Sequence, residues 1–272
     1  MSTRTSGAAG IVDQTLESRY AQVRQRVAGA ARAAGRDPAG VVVVAVTKYA
    51  EADQIRALIQ LGHLDFGENR VQNLLHRVAM IDEFMARRRV LPHAGHHGRG
   101  PANQSIRWHM IGHLQRNKAR KAVELCRLIH SVDSLRLAEE IQTVASRRED
   151  PVDVLIQVNC SGERTKFGCP SPAALHLAEQ IDTMVSVRVR GLMTMAPLSP
   201  NPEDARDTFA RCRELFEEIK KTGVGDGRFD ILSMGMSGDF EVAISEGANM
   251  VRIGSAIFGE PKILIPDEED ED

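Results

Sequence analysis

Aromatic side chains are scarce in this chain of 272 residues, with one Trp, two Tyr and eight Phe. Nucleobases would find few faces to stack on, and no block of Lys or Arg is long enough to track a phosphate backbone. Both shortages argue against a nucleic-acid partner. Cysteine is sparse too. Cys126, Cys160, Cys169 and Cys212 lie far apart and form no Cys-x-x-Cys pair. That spacing points to reduced thiols in a cytoplasmic protein rather than a zinc or disulfide framework. No apolar run approaches the length of a membrane span. Residues Met1 to Gly10 lack the apolar centre of a signal peptide. The expectation is a cytoplasmic protein with no membrane partner.

Charge is nearly balanced, with 35 basic against 37 acidic residues and a net −2. Asp267 to Asp272 are six consecutive acids. Without them 31 acids face 35 bases, so the rest of the chain is mildly basic at +4. The expected organisation is a flexible start over 1–13, a folded unit over 14–264 and an acidic tail over 265–272.

Within that unit a rhythm repeats. Residues 14–35 carry Leu16, Tyr20, Val23 and Val27 at helical spacing, and Gly35 and Pro38 end that helix. Val41 to Val46 is a continuous apolar, β-branched run, the pattern of a strand buried on both faces. Further strands are predicted at 63–66, 107–111, 127–132, 152–158, 187–193, 229–233 and 249–253. Helices are predicted at 52–61, 71–81, 115–125, 134–147, 171–182, 203–221 and 239–247. Eight strands alternating with helices imply a parallel sheet. Eight such units in about 250 residues match a (β/α)₈ TIM-type barrel with an extra N-terminal helix. An open doubly wound sheet fits less well, since no Gly-rich turn follows the first strand. Residues 86–105 interrupt the rhythm and read as a basic inserted loop on the barrel's floor. Its His93, His96 and His97 have no acidic or Cys partner nearby, so no metal site is expected.

Chemistry in a barrel belongs at the carboxyl ends of the strands. Lys48 follows the first strand. Desolvation disfavours the charged form of an amine, and a neutral lysine is a nucleophile able to form a Schiff base. Taken alone, a lysine snorkelling from a strand end is the plainer reading. Gly235-Met-Ser-Gly238 and Gly254-Ser255 follow strands seven and eight, where barrels commonly bind phosphate. Strands one and eight are neighbours, so Lys48 and a phosphate site would share one rim. Pyridoxal 5′-phosphate (PLP) requires that combination. A class I aldolase acting on a phosphorylated sugar would use the same pair.

The motifs Ala45-Val-Thr-Lys48, Phe66-Gly-Glu-Asn69, Trp108-His-Met-Ile-Gly-His-Leu-Gln-Arg-Asn-Lys118, Gly191-Leu-Met-Thr194, Ser233-Met-Gly-Met-Ser237 and Val251-Arg-Ile-Gly-Ser-Ala-Ile-Phe-Gly259 resemble those of the pyridoxal phosphate homeostasis proteins. That family is related to the barrel domain of alanine racemase, and the resemblance covers about 40–260. It implies an internal aldimine of PLP at Lys48. It implies a phosphate site at Ser237, Gly254 and Ser255, and Arg252 facing the pyridine nitrogen. Asn69 and Met236 match pocket-lining positions, and His109 and Gly112 lie in the signature after strand three. Many members place a second basic residue or a proline after the lysine, whereas this chain has Tyr49-Ala50-Glu51.

The implied function is to hold PLP for intracellular homeostasis and to pass it to PLP-dependent apo-enzymes, without substantial turnover. The alternative is a PLP-dependent amino-acid racemase, which needs an acid/base on each face of the cofactor. In alanine racemase a tyrosine from a second domain serves the other face. This chain has only Tyr20, in the first helix, and Tyr49, beside Lys48. The open rim suggests a monomer.

Overall fold

A computed structural model describes residues 15–90, 105–163 and 166–260. The segments expected to be a flexible start and an acidic tail lie outside the described residues. So do residues 91–104, with His93, His96 and His97.

Helix α1 (Leu16–Ala33) opens the fold, with the Thr15 hydroxyl accepting from the Ser18 N–H at 3.2 Å. There follow β1 (Val42–Val46), α2 (Ala52–Gln60), β2 (Asp65–Glu68), α3 (Val71–Val90), β3 (Arg107–Met110) and α4 (Ala119–Leu125). The middle holds β4 (Leu128–Val132), α5 (Leu135–Ala145), β5 (Val152–Asn159), β6 (Cys169–Pro170) and α6 (Ser171–Asp182). The chain continues through β7 (Val187–Met193), α7 (Arg206–Lys221), β8 (Ile231–Ser233), α8 (Phe240–Ser245), β9 (Met250–Ile253) and α9 (Ser255–Phe258). Eight strands pair in parallel in the order β1-β2-β3-β4-β5-β7-β8-β9, and β9 returns to β1. The two-residue β6 only extends the carboxyl end of β5. The fold is the expected (β/α)₈ barrel.

Two apolar layers explain why the strands read as unbroken hydrophobic runs. Val43 and Ala45 of β1 belong to the large outer layer beneath the helices. Val44 points inward, to a small cluster with Leu128, Leu155, Met193 and Met250. The barrel interior also encloses polar groups, since His109, His130, Ser233 and Arg252 are all buried.

Several boundaries differ from expectation, α4 starting at Ala119 rather than 115 and β8 at Ile231 rather than 229 among them, and two of the differences have a clear cause. β2 begins at Asp65 rather than His63, because its register is set by pairing with β3, Asp65 opposite Arg107 and Glu68 opposite Met110. The His63 ring serves a different purpose, with Nδ1 3.1 Å from the Tyr20 hydroxyl and Nε2 2.8 Å from the Asp65 carbonyl. Helix α3 continues to Val90 instead of ending at Ile81. Residues 86–90 of the expected loop are therefore helical. Phe84 and Met85 carry the apolar stripe of Val78 and Ile81 one turn further along the core, the stretch after them is rich in good helix formers, and Arg87 pairs with Glu83 one turn back.

Candidate functional site

The carboxyl ends of the strands open on one cavity of about 760 Å³. Lys48, Asn69, Met236, Ser237, Arg252, Gly254 and Ser255 all line it. Gly112 lines it as well. His109 does not; it is buried inside the barrel.

Lys48 emerges from the end of β1, half-buried, with its Nζ 4.4 Å from the centre of the Tyr49 ring. Beside it Thr47 is fully buried and its hydroxyl donates to Glu68 Oε1 at 2.5 Å. Burial pushes the Glu68 carboxyl above its ordinary range, against the opposing hydrogen bond from Thr47. Where the family places a basic residue or proline, Glu51 forms a capping box with Gln54 and starts α2. Tyr49 and Ala50 of the same turn line the cavity.

Arg252 is buried to 3 % exposure. Its Nη1 donates to Ser233 Oγ at 2.8 Å and its Nη2 to the Thr194 carbonyl at 2.9 Å. Burial pushes the guanidinium down to about 10, so it stays charged at neutral pH.

The wall expected to hold the phosphate joins two turns. Ser237 Oγ accepts from the Gly254 N–H at 3.2 Å and the Ala256 N–H at 3.3 Å, which ties the turn after β8 to the turn after β9. The serine keeps its own proton to donate. Gly235 holds φ +94°, and a Cβ there would lie 2.6 Å from that of Ala243, so the turn demands glycine. Asp239 also lines the cavity, and its Oδ1 accepts the Met236 N–H at 2.5 Å.

On the remaining wall, a Cβ at Gly112 would meet the Asn69 carbonyl oxygen at 2.1 Å, so glycine lets the Asn69 backbone seat there. Asn69 Oδ1 and Gln157 Oε1 are buried without a hydrogen-bond partner among the described residues. Both residues line the cavity, and a polar ligand there would satisfy them. Sequence reasoning missed Gln157. The signal was present, since it is a polar residue within the apolar run Val152 to Val158.

One cavity thus joins an amine, a fixed cation and a set of N–H and O–H donors. Chemically, such a set offers partners for a carbonyl, a hydrogen-bond acceptor and an anion. Among the described residues no group of three or more His, Cys, Asp or Glu is placed to hold a metal ion. No described helix is long and apolar enough to cross a membrane.

Comparison with known proteins agrees. The alanine racemase N-terminal domain family matches residues 19–261. A pyridoxal phosphate homeostasis protein of Pseudomonas aeruginosa is 37 % identical over 245 residues, 90 % of this chain and 95 % of that protein. Its Escherichia coli namesake is 34 % identical, over 88 % of this chain and 94 % of its own. The structure of PipY of Synechococcus elongatus with PLP bound superposes with a TM-score of 0.70 at 31 % identity. It covers 90 % of this chain and all of PipY. Alanine racemase of Clostridium difficile shares the fold, with a TM-score of 0.64 at 11 % identity over 57 % of that longer chain. With a matching barrel, a family match over most of the length and relatives above 30 % identity, the chain belongs to the pyridoxal phosphate homeostasis protein family.

Proposed function

We propose that this protein binds PLP in the 760 Å³ cavity as a Schiff base on Lys48 and serves intracellular PLP homeostasis. The convergence of Lys48, Arg252 and the Ser237–Gly254–Ser255 turns on that one cavity carries the reading. The residues fit the group. Lys48 supplies the amine, Ser237, Gly254 and Ser255 hold the phosphate, and Arg252 faces the ring nitrogen. Asn69 and Met236 line the ring's sides, and the unpartnered amide oxygens of Asn69 and Gln157 await polar atoms. When bound, PLP supplies an aldehyde and an electron-accepting ring. Arg252 can only donate protons, so it favours an unprotonated ring nitrogen and weakens that ring as an electron sink. This supports a carrier that sequesters PLP and releases it to apo-enzymes without substantial turnover of its own.

The test is an absorbance spectrum before and after borohydride reduction, followed by peptide mapping. The purified protein is expected to be yellow, to lose its imine band on reduction and to carry the reduced adduct on Lys48. Lys48→Ala is expected to abolish the adduct. A protein that cannot be reconstituted with PLP sinks the proposal.

One observation favours a racemase instead. His113, with Nδ1 3.7 Å from Asp133 Oδ2, lines the same mouth and is an acid/base of the kind a second face would need. Conversion of L-alanine to D-alanine at roughly 1 s⁻¹ or faster would establish that reading.

A further inference from the structure

A buried chain of side chains runs inward from the cavity. Arg252 Nη1 donates to Ser233 Oγ at 2.8 Å. Ser233 Oγ lies 3.0 Å from His130 Nδ1, and His130 Nε2 lies 2.9 Å from His109 Nδ1. His109 Nε2 lies 3.2 Å from Asp65 Oδ1. Arg107 then grips Asp65 with Nε at 2.7 Å and Nη2 at 2.5 Å. Arg252, Ser233, His130 and His109 are all buried. Asp65 and Arg107 begin β2 and β3 and line a second cavity of about 430 Å³. The chain therefore crosses the barrel from the mouth to the floor.

Its two ends fix its direction. A guanidinium only donates, and an ionised carboxylate only accepts. Burial alone would raise the Asp65 carboxyl, but hydrogen bonds from Arg107 and His109 hold it well below its usual range. Ser233 accepts from Arg252, so its hydroxyl proton goes to His130 Nδ1. His130 then carries its proton on Nε2 and donates to His109 Nδ1. His109 in turn donates from Nε2 to Asp65. Every proton has an acceptor. In the opposite polarity both Arg252 and His130 would donate to Ser233 Oγ, and the serine proton would have no acceptor among the described residues. Burial also pushes His130 well below its ordinary pKa, as the one-way chain requires.

We propose that Ser233, His130 and His109 are positioning residues. They lock the Arg252 guanidinium in place through two neutral imidazoles, each protonated on Nε2. The inference rests on reading the cavity as a PLP site, with Arg252 against the ring nitrogen. A cation fixed in advance gives up no rotamer freedom when the ligand arrives.

Two measurements test it. The first is ¹⁵N NMR of labelled histidines in the PLP-free protein. His130 and His109 should both show the neutral tautomer with bare Nδ1 and protonated Nε2. A proton on Nδ1 of either ring overturns the proposal. The second compares Ser233→Ala and Ser233→Thr after PLP loading. Ser233→Ala should still form the borohydride-trapped Lys48 adduct, but release PLP about tenfold faster, the loss of roughly one hydrogen bond to a charged group. The pH titration of its imine band should move from that of the parent protein. Ser233→Thr restores the hydroxyl and should restore both. Retention and titration like the parent's in Ser233→Ala overturn the proposal. If the parent protein itself forms no Lys48 adduct, the PLP reading fails, and the tautomers decide the chain.

Discussion

Arg252 and His63 show how much burial decides for a single residue. Arg252 sits fully enclosed between Ser233 and the Thr194 carbonyl and stays charged. Against a pyridine nitrogen it has only protons to give, which is the opposite of what a carboxylate there would do. Arg252→Glu is therefore expected to increase formation of pyridoxamine phosphate from bound PLP and an amino acid. An unchanged rate refutes the electronic role. His63 is driven the other way. Burial pushes it down to about 4, overcoming its hydrogen bond to the Asp65 carbonyl. The unfolded chain takes up this proton near pH 6.5. The stabilisation is complete above about 6.5 and is lost as the pH falls towards about 4. Its size is on the order of 3 kcal/mol. Calorimetry should show Tm falling through that window, and His63→Gln should flatten the fall.

Among the elements, α1 is the one that the barrel repeat does not explain. It buries Val23, Val27 and Ala31, and its polar side chains reach the elements around the site. Arg19 donates to the carbonyls of Ile257 at 2.9 Å and Phe258 at 3.2 Å, gripping the end of α9, whose first residue is Ser255. Arg26 pairs with Glu241 of α8, with both side chains well exposed. The two contacts lead to different expectations. Arg19→Ala should cost about 1 kcal/mol and weaken PLP binding, because it frees the turn proposed to hold the phosphate. Arg26→Ala should cost no more than about 1 kcal/mol and leave PLP affinity unchanged. Equal affinity losses in equilibrium dialysis would contradict this division. The strands were the most legible elements, since Val41 to Val46 is apolar on both faces and Val152 to Val158 is apolar at every position but Asp153 and Gln157. The ends of β2 and α3 were not. The first depends on the register of its neighbour, and the second on helix propensity that carries the helix past Met85, where the apolar stripe stops.

As a whole, the molecule is a closed ring of eight parallel strands, and residues at the carboxyl ends of seven of them line one cavity. A ligand bound there touches several strands at once and should stabilise the entire fold. PLP at about a hundred times its Kd should add roughly 2.7 kcal/mol and raise Tm, and Lys48→Ala should remove most of that gain. A Tm insensitive to PLP in the parent chain would contradict this. The eightfold repeat was legible in the local pattern of the chain, and so were several strand-end residues that line the mouth. In a parallel barrel, the residue that ends each strand reaches the common mouth, so Lys48, Asn69, Ser237 and Gly254 could be placed from local pattern alone. The contacts inside the barrel come from its closure. His109 and His130 are 21 residues apart, and His130 and Ser233 are 103 apart. They meet because pairing puts β3 beside β4 and closure carries β8 across the interior. Inward-facing polar residues in apolar strands signalled that something was there. Which of them touch is a property of the closed ring, and no local spacing encodes it.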